Sequence, residues 1–175
     1  MVNHKLLDFF SKEISSGVLL KNKTRKQKII RYIDKNEEAT ITKMAKTINI
    51  STTKTTSLVN ELIELGLLRD CGKINSLPGR PANIFGLVAN SCFFLGVDVK
   101  EYYINIGLMD FTKNMVTTNM RIPYLLQNTP ESFDLLISLI KNFIQQEPVN
   151  PKNILSLCIN IGGRIDTKSD TSHSY

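Results

Sequence analysis

The chain has 175 residues, is 42% apolar, and carries three cysteines (Cys71, Cys92, Cys158) and two histidines (His4, His173). That length suits one ordinary domain or two small ones, and the scattered cysteines and histidines exclude a disulfide scaffold, a cysteine zinc site and a histidine metal cluster. The formal charge of +6 is uneven: residues 1–90 hold 15 Lys/Arg against 8 Asp/Glu, or +7, and residues 91–175 hold 7 against 8, or −1. A basic first half on a neutral second half points to a polyanion-binding module joined to something else; the alternative is a solvated basic face with no partner. No apolar run reaches membrane-spanning length and no signal-peptide pattern opens the chain, so a cytoplasmic protein without a membrane partner is expected.

Residues 1–23 carry Leu6, Leu7, Phe9, Phe10 and Ile14 at helical spacing. A short amphipathic helix is predicted, ending near Ser15, Ser16 and Gly17. With only Lys5 and Lys12 as cations, it suits packing on the chain or on a second copy better than lipid binding. Residues 21–36 place Ile29, Ile30 and Ile33 on one helical face and ring them with cations, Arg25 and Lys28 among them. Asn36, Glu37 and Glu38 mark a break.

Thr40 then stands as an N-cap before Ile41, Met44, Ala45 and Ile48, the apolar stripe of a short second helix that also carries Lys43 and Lys46. Asn49 and Ile50 make a brief turn, and Ser51 caps a third helix from Thr52 to about Leu65. Thr55, Leu58, Val59 and Leu62 face inward, and Gly66 sits where a C-terminal glycine belongs. Two helices joined by so short a turn suggest a helix-turn-helix. The outward face of the third is then Thr53, Thr56, Ser57 and Asn60, with Lys54 at its flank. Threonine is a poor helix former, so four within five residues (Thr52, Thr53, Thr55, Thr56) cost helicity, which contact with DNA would explain.

Leu67, Leu68, Cys71 and Ile74 read as a strand, S-L-P-G-R-P as a tip, and N-I-F-G-L-V as a returning strand. At the tip, Arg80 between Gly79 and Pro81 can reach a minor groove. From Ser91 the character changes. C-F-F-L-G-V-D-V, Y-Y-I-N-I-G-L-M-D and M-V-T-T-N-M-R-I predict an antiparallel meander. Pro130 to about Gln146 predicts an amphipathic helix, and N-I-L-S-L-C-I-N-I-G-G a further buried strand. The final T-K-S-D-T-S-H-S-Y is polar and expected to lack order.

Four passages in this order carry a family likeness: I-S-T-T-K-T-T-S-L-V-N-E-L-I-E-L-G-L-L, L-P-G-R-P, F-F-L-G-V-D-V and I-N-I-G-G-R-I-D. Over about residues 24–166 the chain resembles the ROK family, in its transcriptional repressor branch. The resemblance implies an α/β multi-domain protein: an N-terminal segment (1–23), a winged helix-turn-helix (24–90) and an incomplete actin-like, sugar-kinase-type N-lobe (91–175). It also implies control of carbohydrate-utilisation genes, a sugar or sugar-phosphate effector, a homo-oligomer at full length, and a place near a sugar site for Gly162 and Gly163. The family's catalytic Asp, E-x-G-H segment and zinc cysteines would lie beyond Tyr175, so a fragment or a truncated product is expected.

The expected function is a DNA-binding regulator, not an enzyme, and no cofactor is expected. Thr52, Thr53, Lys54, Thr56 and Ser57 would enter the major groove; Lys43, Lys46, Arg25 and Lys28 would meet phosphates; and Arg80 would enter the minor groove. A sugar kinase is disfavoured. Kinases of the family follow the first strand with a D-x-G-x-T phosphate loop, whereas Asp98 is followed by Val99, Lys100, Glu101 and Tyr102, which leaves Asp98 to end a strand or cap a turn. A winged helix that binds protein is the third reading, disfavoured by the +7 half.

Overall fold

The computed structural model describes residues 9–10, 17–74, 81–162, 164–166 and 171–173. The chain divides into two compact units, Met1–Ser91 and Cys92–Tyr175, each taken here by itself.

In unit 1, α1 spans Gly17–Asn36. It begins four residues before the expected start at Lys21 and runs through the expected division at residues 23 and 24; the expected end of the N-terminal helix, near Ser15, Ser16 and Gly17, falls mostly outside the described residues. The reason for the earlier start is that Val18, Leu19 and Leu20 are exposed; the first turn has no buried stripe, and a buried stripe is what periodicity detects. Ile29 and Ile33 anchor the helix in the core. Of the N-terminal segment, Phe9 and Phe10 are helical. Phe9 is buried, with the Lys26 ammonium 6.0 Å from its ring centroid. Leu6, Leu7 and Ile14 lie outside the described residues.

After α1 the chain forms β1 (Glu38–Thr40), which was expected only as a break. It pairs antiparallel with β3 (Ala82–Leu87), Ala39 opposite Phe85. Thr40 ends β1 and also caps α2 (Ile41–Ile48), its hydroxyl accepting the Lys43 N–H at 3.3 Å. Asn49 turns the chain in the left-handed region at φ 55°, which asparagine tolerates better than most residues. Ser51 then caps α3 (Thr52–Glu64) by accepting the Lys54 N–H at 3.2 Å. Past α3, Gly66 takes φ 74°. The Leu67 N–H reaches Leu62 O at 3.0 Å and the Gly66 N–H reaches Ile63 O at 2.8 Å, a Schellman end that needs glycine there. Leu58, Val59 and Leu62 of α3 are fully buried, as are Met44 of α2 and Ile29 and Ile33 of α1. These side chains join the three helices in one core.

β2 (Leu68–Ile74) and β3 form an antiparallel hairpin, and the sheet order is β1-β3-β2. The ladder slips between Asp70 and Gly72, where Gly72 adopts φ 101°. Asp70 holds the bulge: Oδ1 accepts the Gly72 N–H at 2.8 Å, and Oδ2 accepts Nδ2–H of Asn83 across the hairpin at 2.8 Å. Asp70→Ala is expected to destabilise the chain by about 1–2 kcal/mol, read as a lower urea midpoint at unchanged m value. An unmoved midpoint would show that the bulge holds without the carboxylate. The tip, residues 75–80 with Gly79 and Arg80, lies outside the described residues.

In unit 2, β4 (Phe93–Val99), β5 (Tyr103–Asp110) and β6 (Met115–Pro123) make the expected meander. After α4 (Pro130–Gln146), β7 (Ile154–Ile161) returns parallel to β4, giving the order β6-β5-β4-β7. Alternation along β4 and β5 sends Leu95, Val97, Val99, Ile104, Ile106 and Leu108 into one core with Leu136, Ile140 and Phe143 of α4. Thr129 caps α4 and Pro130 opens it, the residues that a helix start favours. Arg164–Asp166 and Thr171–His173 pair as a short antiparallel hairpin. Of the polar tail expected to lack order, Thr171–His173 are a strand, since a main-chain ladder needs no apolar side chains; residues 167–170 and 174–175 lie outside the described residues.

Candidate nucleic-acid interface

The two faces of α3 are chemically distinct. Thr55, Leu58, Val59 and Leu62 are buried; Thr52, Thr53, Thr56, Ser57 and Asn60 are exposed, and Lys54 is half-buried. The run of threonines therefore divides. Thr55 belongs to the core, its hydroxyl donating to Ser51 O at 3.0 Å. The other three lie outward with Ser57. Lys43 and Lys46 are exposed on α2, as is Lys28 on α1, while Arg25 is half-buried.

One connection was not found in the sequence. Lys26 Nζ of α1 pairs with Glu61 Oε2 of α3 at 2.6 Å. The other Glu61 oxygen accepts the Ser57 hydroxyl at 3.3 Å. The hydrogen bond from Lys26, with its charge and the Ser57 bond, holds the Glu61 carboxyl below the usual carboxylate range against the opposing effect of burial. Lys26 is thus committed to an internal pair, unlike its neighbour Lys28. The two partners lie 35 positions apart, and no local spacing links them.

Asp98, expected to end a strand or cap a turn, is the penultimate residue of β4 and ties three strands together. It accepts Nδ2–H of Asn160 on β7 at 2.7 Å and Nδ2–H of Asn105 on β5 at 3.3 Å, and pairs with Lys100 at 3.0 Å. The chain then turns tightly, the Lys100 N–H donating to Tyr103 O at 2.9 Å. Asp98, Asn105 and Asn160 border a shallow concavity of about 440 Å³ that Gly96 and Gly107 also line. Lys100 first, then Asn160, lower the Asp98 pKa. A carboxyl depressed in the folded state stabilises above its unfolded pKa, and that stability is lost as pH falls through the folded value. Acid is therefore expected to destabilise the chain partly through Asp98, and Asp98→Asn should flatten the acid limb of a stability–pH curve; an equally steep limb would remove Asp98 as a contributor. Gly162 is exposed just past β7, and Gly163 lies outside the described residues.

Comparison with known proteins supplies the decisive observation. The chain is 28% identical over 145 residues to the xylose repressor of Bacillus subtilis (strain 168), covering 82% of this chain and 37% of that protein. It is 26% identical over 146 residues to the xylose repressor of Caldicellulosiruptor bescii, covering 82% and 36%. A solved ROK family transcriptional regulator, described as a homologue of the E. coli MLC protein, superposes with a TM-score of 0.59 at 17% identity, over 82% of this chain and 37% of that one. The chain is similar to these repressors and shares its fold with the solved ROK family regulator. The chain spans little more than a third of the length of the curated proteins it matches. Those proteins are named as repressors, in line with the expectation of a chain that is not an enzyme. A family model described as PCI domain also matches residues 6–80, less than half of the chain. Among the described residues no helix is long and apolar enough to cross a membrane.

Proposed function

We propose that unit 1 is a winged helix-turn-helix that binds double-stranded DNA, and that the chain serves transcriptional regulation of carbohydrate-utilisation genes. The observation that carries this reading is the division of α3: its apolar row is buried, while Thr52, Thr53, Thr56, Ser57 and Asn60 stand exposed on its polar side. Short hydroxyl side chains at the start of a helix suit base edges and phosphates in a major groove. Thr52, Thr53, Lys54, Thr56 and Ser57 make the groove contacts in this reading. Lys43, Lys46, Arg25 and Lys28 meet phosphates, and Arg80 at the wing tip enters the minor groove.

The relatives' name, xylose repressor, supports the carbohydrate assignment. A sugar or sugar-phosphate is the proposed effector, with Gly162 and Gly163 near its site and most of that site outside this chain. Unit 2 is proposed as part of an actin-like lobe, and the full-length protein as a cytoplasmic homo-oligomer.

Titration of a labelled duplex with the full chain, followed by anisotropy at several salt concentrations, tests the central claim. Four phosphate-bound cations give a slope of roughly −3 to −4 in log K against log salt. Absence of duplex binding at low salt would sink the reading. In the alternative reading, a winged-helix surface for protein, the titration stays flat.

A further inference from the structure

Two exposed hydroxyls on α3 have their protons already committed. Thr56 Oγ1 donates to Thr52 O at 2.9 Å, and Ser57 Oγ bonds Glu61 Oε1 at 3.3 Å. The direction of the Ser57 bond follows from its partner. Glu61 is paired with the Lys26 ammonium at 2.6 Å, which keeps the carboxyl ionised. An ionised carboxylate has no proton to give, so Ser57 must be the donor. A hydroxyl whose proton is spent turns only lone pairs to its surroundings. Thr56 and Ser57 are adjacent and exposed, so α3 offers two neighbouring acceptors.

In a major groove the complementary groups are few. Adenine N6 and cytosine N4 carry amino donors, whereas guanine O6 and N7 and thymine O4 are acceptors. Acceptor set against acceptor leaves both groups desolvated and unpaired, which selects against the wrong base.

We infer that Thr56 and Ser57 read exocyclic amino groups, of adenine or cytosine, as hydrogen-bond acceptors, and that Glu61, held by Lys26, is the positioning residue that sets this polarity at Ser57. The inference rests on the DNA-binding reading above.

The test begins with selection of duplexes from a random pool by the full chain. At each selected adenine or cytosine, the amino group is then deleted by substituting purine or 2-pyrimidinone, the two analogues separating the two base sources. Deletion at a contacted base weakens the wild-type chain by about three- to tenfold, the loss of one neutral hydrogen bond. Thr56→Val and Ser57→Ala each lose sensitivity to deletion at one position and keep it at the others. Glu61→Gln places a carboxamide beside Ser57 that can donate to it and release its proton. That variant admits guanine or thymine at the Ser57 position, a change in preference that a loss of stability alone would not produce. Full sensitivity retained by both hydroxyl variants, or selected sites with guanine or thymine at the contacted positions, overturns the inference and leaves DNA binding standing. Failure to select any sequence overturns both.

Discussion

Replacing Lys54 and Arg80 together with alanine is expected to weaken duplex binding by about 2–6 kcal/mol, roughly thirtyfold to twenty-thousandfold. Lys54 sits in the first turn of α3, where its backbone N–H is already used by the Ser51 cap. Its ammonium belongs to neither the Lys26–Glu61 nor the Lys100–Asp98 pair, although its charge acts on Glu61 at longer range. Arg80 stands between Gly79 and Pro81 in the sequence, a setting that suits a minor groove. Contacts in different grooves share no partner, so the two single losses, each about 1–3 kcal/mol, should add. Anisotropy titrations of both single variants and the double variant measure this. Wild-type affinity in all three would remove these contacts from the proposed interface.

Leu58→Ala is expected to destabilise the chain by about 2–5 kcal/mol. Leu58 is fully buried in α3, among side chains that fix the helix against its neighbours. Truncation leaves a cavity that the surrounding core closes only in part. A domain has only about 5–15 kcal/mol of stability in total, so the loss should appear both in a thermal melt and as weakened duplex binding. Thr53→Ala is the control. Thr53 is exposed, so its stability should stay within about 0.5 kcal/mol of wild type while binding falls. A Leu58→Ala chain that melts with the wild type would contradict the buried row described here.

What was legible in the sequence was local. Thr40, Ser51 and Gly66 announce helix ends because a cap is made within three or four residues. The inward row of α3 follows from its spacing. β1 was missed because three residues show no alternation, and the strand exists only through its pairing with β3. The first turn of α1 was missed because its aliphatics face solvent. The Lys26–Glu61 pair and the Asp98–Asn160 bond join residues far apart in the chain, so no pattern within a window could reveal them. At the candidate interface, the residue types were readable. The polarity of their hydroxyls was not, since it depends on a carboxylate and on the lysine of another helix that keeps it charged.

The buried row and the hydroxyl side of α3 belong to one uninterrupted helix, and so they are geared together. Inserting a single residue between Thr56 and Leu58 would swivel the two sets against each other by about 100°. Exchange of one outer side chain for another leaves the gearing untouched. Divergence along this stretch should therefore proceed by replacement alone, and alignments of related chains should run through it without gaps.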